Sequence, residues 1–169
     1  MKIIEALKLT KSLLVKAQDL RAKIKASCAD LDYETPMYPN QKAQVDAWLQ
    51  AHYDIVKEIG RLKFLIQKTN LLVQVPIELD GKHVTKSIAE WVVRRRELAT
   101  LEAQAWGVLS DRGLKEGTVM QSTGVPKEVR IRRYYDPTQR DTKLAALQAE
   151  PSQIDSTLEI INATTDIVE

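Results

Sequence analysis

The feature that most constrains this chain is a three-and-four spacing of apolar residues, sustained over two runs of nearly thirty residues. The first run, from about Lys2 to Ala29, carries Ile3, Leu7, Thr10, Leu14, Ala17, Arg21, Ile24, Cys28 and Leu31 on one seam. Alternating steps of four and three keep side chains on one face of a helix, as a heptad does. Leu13, Val15 and Leu20 widen the stripe, so this helix is expected to meet more than one neighbour. The second run, about Gln41 to Thr69, repeats the pattern at Val45, Trp48, His52, Ile55, Ile59, Leu62, Ile66 and Thr69, with Asn40 as its N-cap. Between them Pro36 and Pro39 stand too close together for both to lie inside a helix. Two such helices, each about 40 Å long at 1.5 Å per residue, are expected to fold back as an antiparallel pair.

The period then falls to two. Val73, Val75, Ile77 and Leu79 alternate with Leu72, Gln74, Pro76 and Glu78, a strand pattern that Pro76 confines to an edge or to irregular extended chain. Asp80-Gly81 predicts a tight turn, with Lys82-His83-Val84 as a short return strand. Thr85 or Ser87 is placed to cap a third helix reaching about Asp111, with Ile88, Trp91, Val92, Arg95, Leu98, Ala105 and Leu109 on its apolar side and Gly113 to stop it. The run from Val129 to Tyr135 has strand character and is expected to pair with Thr118–Gln121 across Ser122-Thr123-Gly124. Asp136-Pro137 opens a fourth helix carrying Leu144, Leu147, Ile154, Leu158 and Ile161, which Pro151 is expected to kink or to split.

The expected fold is therefore mainly α: an elongated antiparallel helical bundle or coiled coil of four long helices with a small β-hairpin element. It is read as a single domain, with a helical hairpin over 1–70, a β element over 71–84, a third helix over 85–112, a loop and hairpin over 113–135 and a C-terminal helical segment over 136–169. Composition agrees: 44% of residues are hydrophobic but only 5% aromatic, and six Gly and six Pro leave few helix breakers. No stretch approaches the ~20 apolar residues of a spanning helix, and the charged start Met1-Lys2-Ile3-Ile4-Glu5 lacks a signal-peptide core. A cytoplasmic chain is expected, or a component of a phage particle if the gene is phage-encoded.

Catalytic chemistry finds little to work with. A single cysteine excludes a disulfide framework within the chain, and two histidines give little from which to build a metal or His-based site. Cys28 is read as a small buried residue and His52 as a core or interface histidine, the alternative for the latter being a buried proton switch or a ligand on a symmetry axis. Asp54/Glu58 and Asp155/Glu159 each share a helix face and are read as solvated stripes. No phosphate loop, nucleophile elbow, EF-hand or zinc-protease pattern occurs. The expectation is a chain that is not an enzyme and needs no cofactor or metal.

Charge is the better lead. The net charge of +2 hides a gradient: residues 1–70 hold twelve Lys/Arg against eight Asp/Glu, whereas residues 141–169 hold one against six. Arg94, Arg95 and Arg96 sweep about 200° of a helix, so at least one must approach the packed side. Arg130, Arg132 and Arg133 lie beside Tyr134 and Tyr135. These six arginines are candidates for binding nucleic acid or another anion, by phosphate contact and base stacking. The alternative is pairing with the acidic C-terminal segment, within the chain or across an interface.

Several short segments, in order, also carry a resemblance. They are Met1–Leu7, Ile66-Gln67-Lys68-Thr69-Asn70, Asp80-Gly81-Lys82, Thr85–Glu90, Val129-Arg130-Ile131 and Ile160–Asp166. Together they make the chain similar to the septicolysin-like family of small helical bacterial proteins. The resemblance implies helices with a small β element, assembled into closed homo-oligomers. The family name implies a link to pore-forming toxins, but Leu71–Leu79 is too short and too interrupted by Pro76 to make a membrane-inserting segment. The expected role is a non-enzymatic structural or assembly subunit that associates with copies of itself. Trp48, His52, Ile55, Ile59, Trp91 and Leu98 are the candidate interface. Other structural subunits and nucleic acid are alternative partners.

Overall fold

The computed structural model describes residues 1–168 and is mainly helical, 62% helix and 13% strand. No helix among the described residues is long and apolar enough to cross a membrane. The backbone divides into two compact units: residues 1–74 with the chain from Leu158 on, and Val75–Thr157.

The first unit is built on α1 (Ile3–Ser27) and α2 (Gln41–Leu72), which pack against each other. Glu5 accepts the backbone N–H of Lys2 at the start of α1, at 2.8 Å. Asn40 caps α2 by accepting from the Ala43 N–H at 3.0 Å. Gln41 Nε2 donates to the Ser27 carbonyl at 2.9 Å, tying the end of α1 to the start of α2. At the other end Ala6 packs with Leu62 and Ile66, so the two helices run antiparallel. The eight seam positions expected of α2 are all buried or half-buried.

The seam of α1 departs from expectation in register. Ile3, Thr10, Ala17 and Ile24 face inward, but the alternate positions are Ala6, Leu13, Leu20 and Ser27 rather than Leu7, Leu14, Arg21 and Cys28, all four of which are exposed. Ala6 of α1 packs with Leu62 and Ile66 of α2, with Leu13 against the same cluster. The hydroxyls of Thr10 and Thr69 donate to the carbonyls of Ala6 and Leu65, each at 2.8 Å, which satisfies them in a dry interior. The two ends of the chain meet in this unit. Lys2 and Asp166 form an antiparallel bridge, the Ile3 N–H donates to the Thr165 carbonyl at 3.0 Å, and the Ile167 N–H donates to the Met1 carbonyl at 2.9 Å. The Val168 N–H donates to Thr69 Oγ1 at 2.8 Å.

The second unit begins with the hairpin β1 (Gln74–Leu79) and β2 (Lys82–Ser87). Its turn places Asp80 at φ 51° and Gly81 at φ 71°, the left-handed pair that a two-residue hairpin turn requires. Val75 and Ile77 point inward and Gln74, Pro76 and Glu78 outward, as the alternation predicts. Ser87 and Glu90 cap each other's backbone groups and start a helical run. That run is not one regular helix to Asp111: α3 (Ile88–Val93) passes into a π-helical turn (Arg94–Leu98) and then α4 (Ala99–Gly107). The buried Trp91 donates from Nε1 to the Val75 carbonyl at 2.8 Å, pinning α3 to the hairpin.

The second hairpin differs from expectation. β3 (Gly117–Met120) pairs with β4 (Pro126–Val129), Gly117 opposite Val129 and Met120 opposite Pro126, so residues 130–135 lie beyond the ladder. The reason is the turn: Gly124 at φ 78° donates to the Gln121 carbonyl, and the Gln121 N–H donates to Val125, which closes the ladder early. Arg130, Arg132 and Arg133 therefore do not alternate on a strand. α5 (Pro137–Thr164) runs through Pro151 without a break, so of the two expected outcomes, a kink or a split, the split does not occur. Its residues up to Thr157 belong to the second unit and its last turns to the first.

Candidate functional site

In the second unit α3, the π turn, α4, the β1–β2 hairpin and α5 line a solvent-open cavity of about 580 Å³. Leu79, Val84, Val93, Leu98 and Leu147 supply apolar wall, and Asp80, Lys86, Glu90, Arg94, Glu102, Lys143 and Glu150 supply charge. The π turn shapes this wall. The Ala99 N–H bonds back to the Arg94 carbonyl, five residues earlier, and both Arg94 and Leu98 border the cavity. Such turns occur disproportionately at functional sites.

Arg94 is the centre of the charge network. Its Nε and Nη2 form a fork on Glu150, at 2.5 and 2.8 Å, and its Nη1 lies 2.6 Å from Glu102. The Glu150 side chain is only 7% accessible, so this is a largely dry, bidentate ion pair. Hydrogen bonding to Glu150 first, and to Glu102 after it, raises the affinity of the Arg94 guanidinium for its proton still further. At the rim Lys143 donates to Asp80 at 2.5 Å, which raises the lysine and lowers the aspartate from their ordinary values.

The remaining arginines are mostly committed. Arg95 pairs with Asp155, also on α5, so the Arg94-Arg95 end of the first cluster meets the acidic C-terminal segment. Arg133 makes a two-pronged contact with Asp111 at 2.7 and 2.6 Å, holding that carboxyl below its usual range. Arg130 reaches Glu128 at 3.4 Å. Arg96 and Arg132 are exposed and have no ion-pair partner among the described residues.

The other candidates are spread over both units. Trp48, His52 and Ile55 are half-buried and Ile59 is buried on α2, with Trp48 edge-on to Tyr38 at 5.4 Å. Trp91 is buried in the second unit, so neither it nor Ile59 presents a surface to a partner. Leu98 borders the cavity. Cys28 is exposed rather than buried, because Ser27 takes the seam position. Among the described residues no three His, Cys, Asp or Glu side chains gather as a metal site would require.

A second surface was not picked out from the sequence. Leu49, Tyr53, Val56, Phe64 and Leu71 of α2 are 49% to 65% exposed. At 100° per residue they fall, with Gly60 and Gln67, within about 80° of one another, on a face distinct from the buried seam. Tracing a second period through α2 would have found it.

A scan against family models and searches of curated proteins and of solved structures each find no match for this chain.

Proposed function

We propose that the chain is a non-enzymatic assembly subunit that pairs with a second copy of itself through the outer face of α2. The observation that carries this reading is the symmetry of the exposed stripe about Gly60. Leu49 and Leu71 stand eleven residues to either side of it, Val56 and Phe64 four, and Tyr53 and Gln67 seven. An isologous interface brings each patch against itself, so a stripe of this kind matches its own copy when two helices meet antiparallel with Gly60 on the two-fold axis. A Cβ at Gly60 would meet nothing within 4 Å, and its absence leaves the flat spot that close helix approach requires. The stripe spans about 33 Å of helix, long enough to define a register. The α1–α2 hairpin is the scaffold in this reading, packed in coiled-coil fashion along its inner seam.

The test is native mass by size-exclusion chromatography with light scattering. A mass of twice 19.2 kDa, or a higher even multiple, is expected. V56E/F64E, which alters exposed positions only, should then run at the monomer mass. In a C28S background, G60C should oxidise to a covalent dimer, because only at the axis does a residue meet its own copy. A monomeric wild type refutes the proposal, and an assembly indifferent to V56E/F64E moves the interface elsewhere.

A further inference from the structure

We infer that the cavity of the second unit is a binding site for a small apolar molecule with one cationic, amine-type head. This does not depend on the assembly reading, because the cavity and the α2 stripe share no residue. About 580 Å³ lies within the range of small-molecule sites, which combine apolar wall with a few converging polar groups. Leu79, Val84, Val93, Leu98 and Leu147 can take an apolar body, and the charge decides the head.

Three cations and four carboxylates border the cavity, an excess of one negative charge. Two of the cations are already committed, Arg94 to Glu150 and Glu102, and Lys143 to Asp80, while Lys86 has no ion pair among the described residues and acts electrostatically on Glu90. Glu150 is likewise consumed, since Arg94 takes both of its oxygens. Glu102 is different. It meets Arg94 through Oε2 alone, and its side chain is half accessible, so Oε1 remains an acceptor facing solvent. Glu90 gives Oε2 to Ser87 and keeps Oε1 in the same way. A bound ammonium would restore neutrality and use these acceptors while leaving the Arg94–Glu150 fork intact. A carboxylate ligand would have Lys86 alone, or would have to compete with Glu102 for Arg94, and in either case would add to the negative excess.

The experiment uses three probes of one shape and different charge: 1-aminoadamantane, 1-adamantanol and 1-adamantanecarboxylate, with n-octylamine as a flexible amine. Each is titrated into the full chain by isothermal calorimetry at pH 7. At least one amine should bind saturably, and 1-aminoadamantane should bind about tenfold more tightly than the carboxylate, the scale of one charge-assisted hydrogen bond. E102Q should lower amine affinity about tenfold, leave the alcohol unchanged and improve the carboxylate. L98W and A146L fill the cavity from different elements, and each should abolish binding if its circular dichroism matches wild type. Failure of both amines to bind, carboxylate affinity equal to that of the amine, or binding that survives both filled cavities overturns the inference.

Discussion

Arg94 and Glu150 offer a sharp test of how the second unit is held together. With side chains 22% and 7% accessible, the two partners are not equivalent. Arg94→Met strands a carboxylate that has no other ion-pair partner among the described residues and almost no water. Removing one partner of a buried pair costs about 3–5 kcal/mol, and about 3 is expected here because Arg94 is partly wet. Glu150→Leu leaves Arg94 with Glu102 and solvent, so about 1 kcal/mol is expected. The double variant removes both charges at once and should fall within about 1 kcal/mol of wild type. The coupling between the two sites is then about 3–5 kcal/mol. Urea unfolding followed by tryptophan fluorescence measures it, because Trp91 lies in the same unit. Equal losses for the two single variants, with a double variant that simply adds them, would refute the idea of a stranded charge.

Three further outcomes are expected. Leu62→Ala, at a fully buried position between α1 and α2, should cost about 3 kcal/mol by chemical denaturation, the usual size for a leucine truncated in a core. Pro151→Ala should stabilise α5 by about 1–3 kcal/mol, visible as a higher thermal midpoint, because it restores a backbone donor inside the helix and removes the ring clash. The hydrogen bond from Lys2 holds the Asp166 carboxyl below its ordinary value, so its contribution is complete above about pH 4 and is lost as pH falls through the lowered value. Asp166→Asn should therefore flatten the acid limb of a stability-against-pH curve, and an unchanged limb would count against the bridge.

How far the fold could be read from the chain differs between elements. The α2 seam was fully legible because its eight positions form an unbroken run of threes and fours, even though Leu49, Tyr53, Val56, Phe64 and Leu71 of the same helix face outward. α1 was legible only in half its positions. Leu7 outweighs Ala6 in hydrophobicity, yet the smaller Ala6 is the buried one, while Leu13 and Leu20, expected only to widen the stripe, turn inward in place of Leu14 and Arg21. That at least one of Arg94, Arg95 and Arg96 would approach the packed side followed from helix geometry, and Arg94 and Arg95 are the two that do. Of the two acceptors of Arg94, Glu150 lies in the acidic C-terminal segment already named as an alternative partner of the arginines, whereas Glu102, eight residues along the same helical run, carried no local signal. The π turn was equally silent: nothing in Arg94–Leu98 distinguishes it from ordinary helix. At the second hairpin, β-propensity over 129–135 lost to the turn at Gly124, which fixes where a ladder must begin.

The meeting of the two chain ends has a mechanical consequence. Met1 sits against Ile167 and Ile3 against Thr165, so the bridge is antiparallel and both ends leave from the same rung. A load applied between the ends then opens its hydrogen bonds one after another, like a zipper, instead of shearing them together. The first unit should give way early to a pull on its ends, whereas the same force applied between α1 and α2, across their interlocked side chains, would meet many contacts at once.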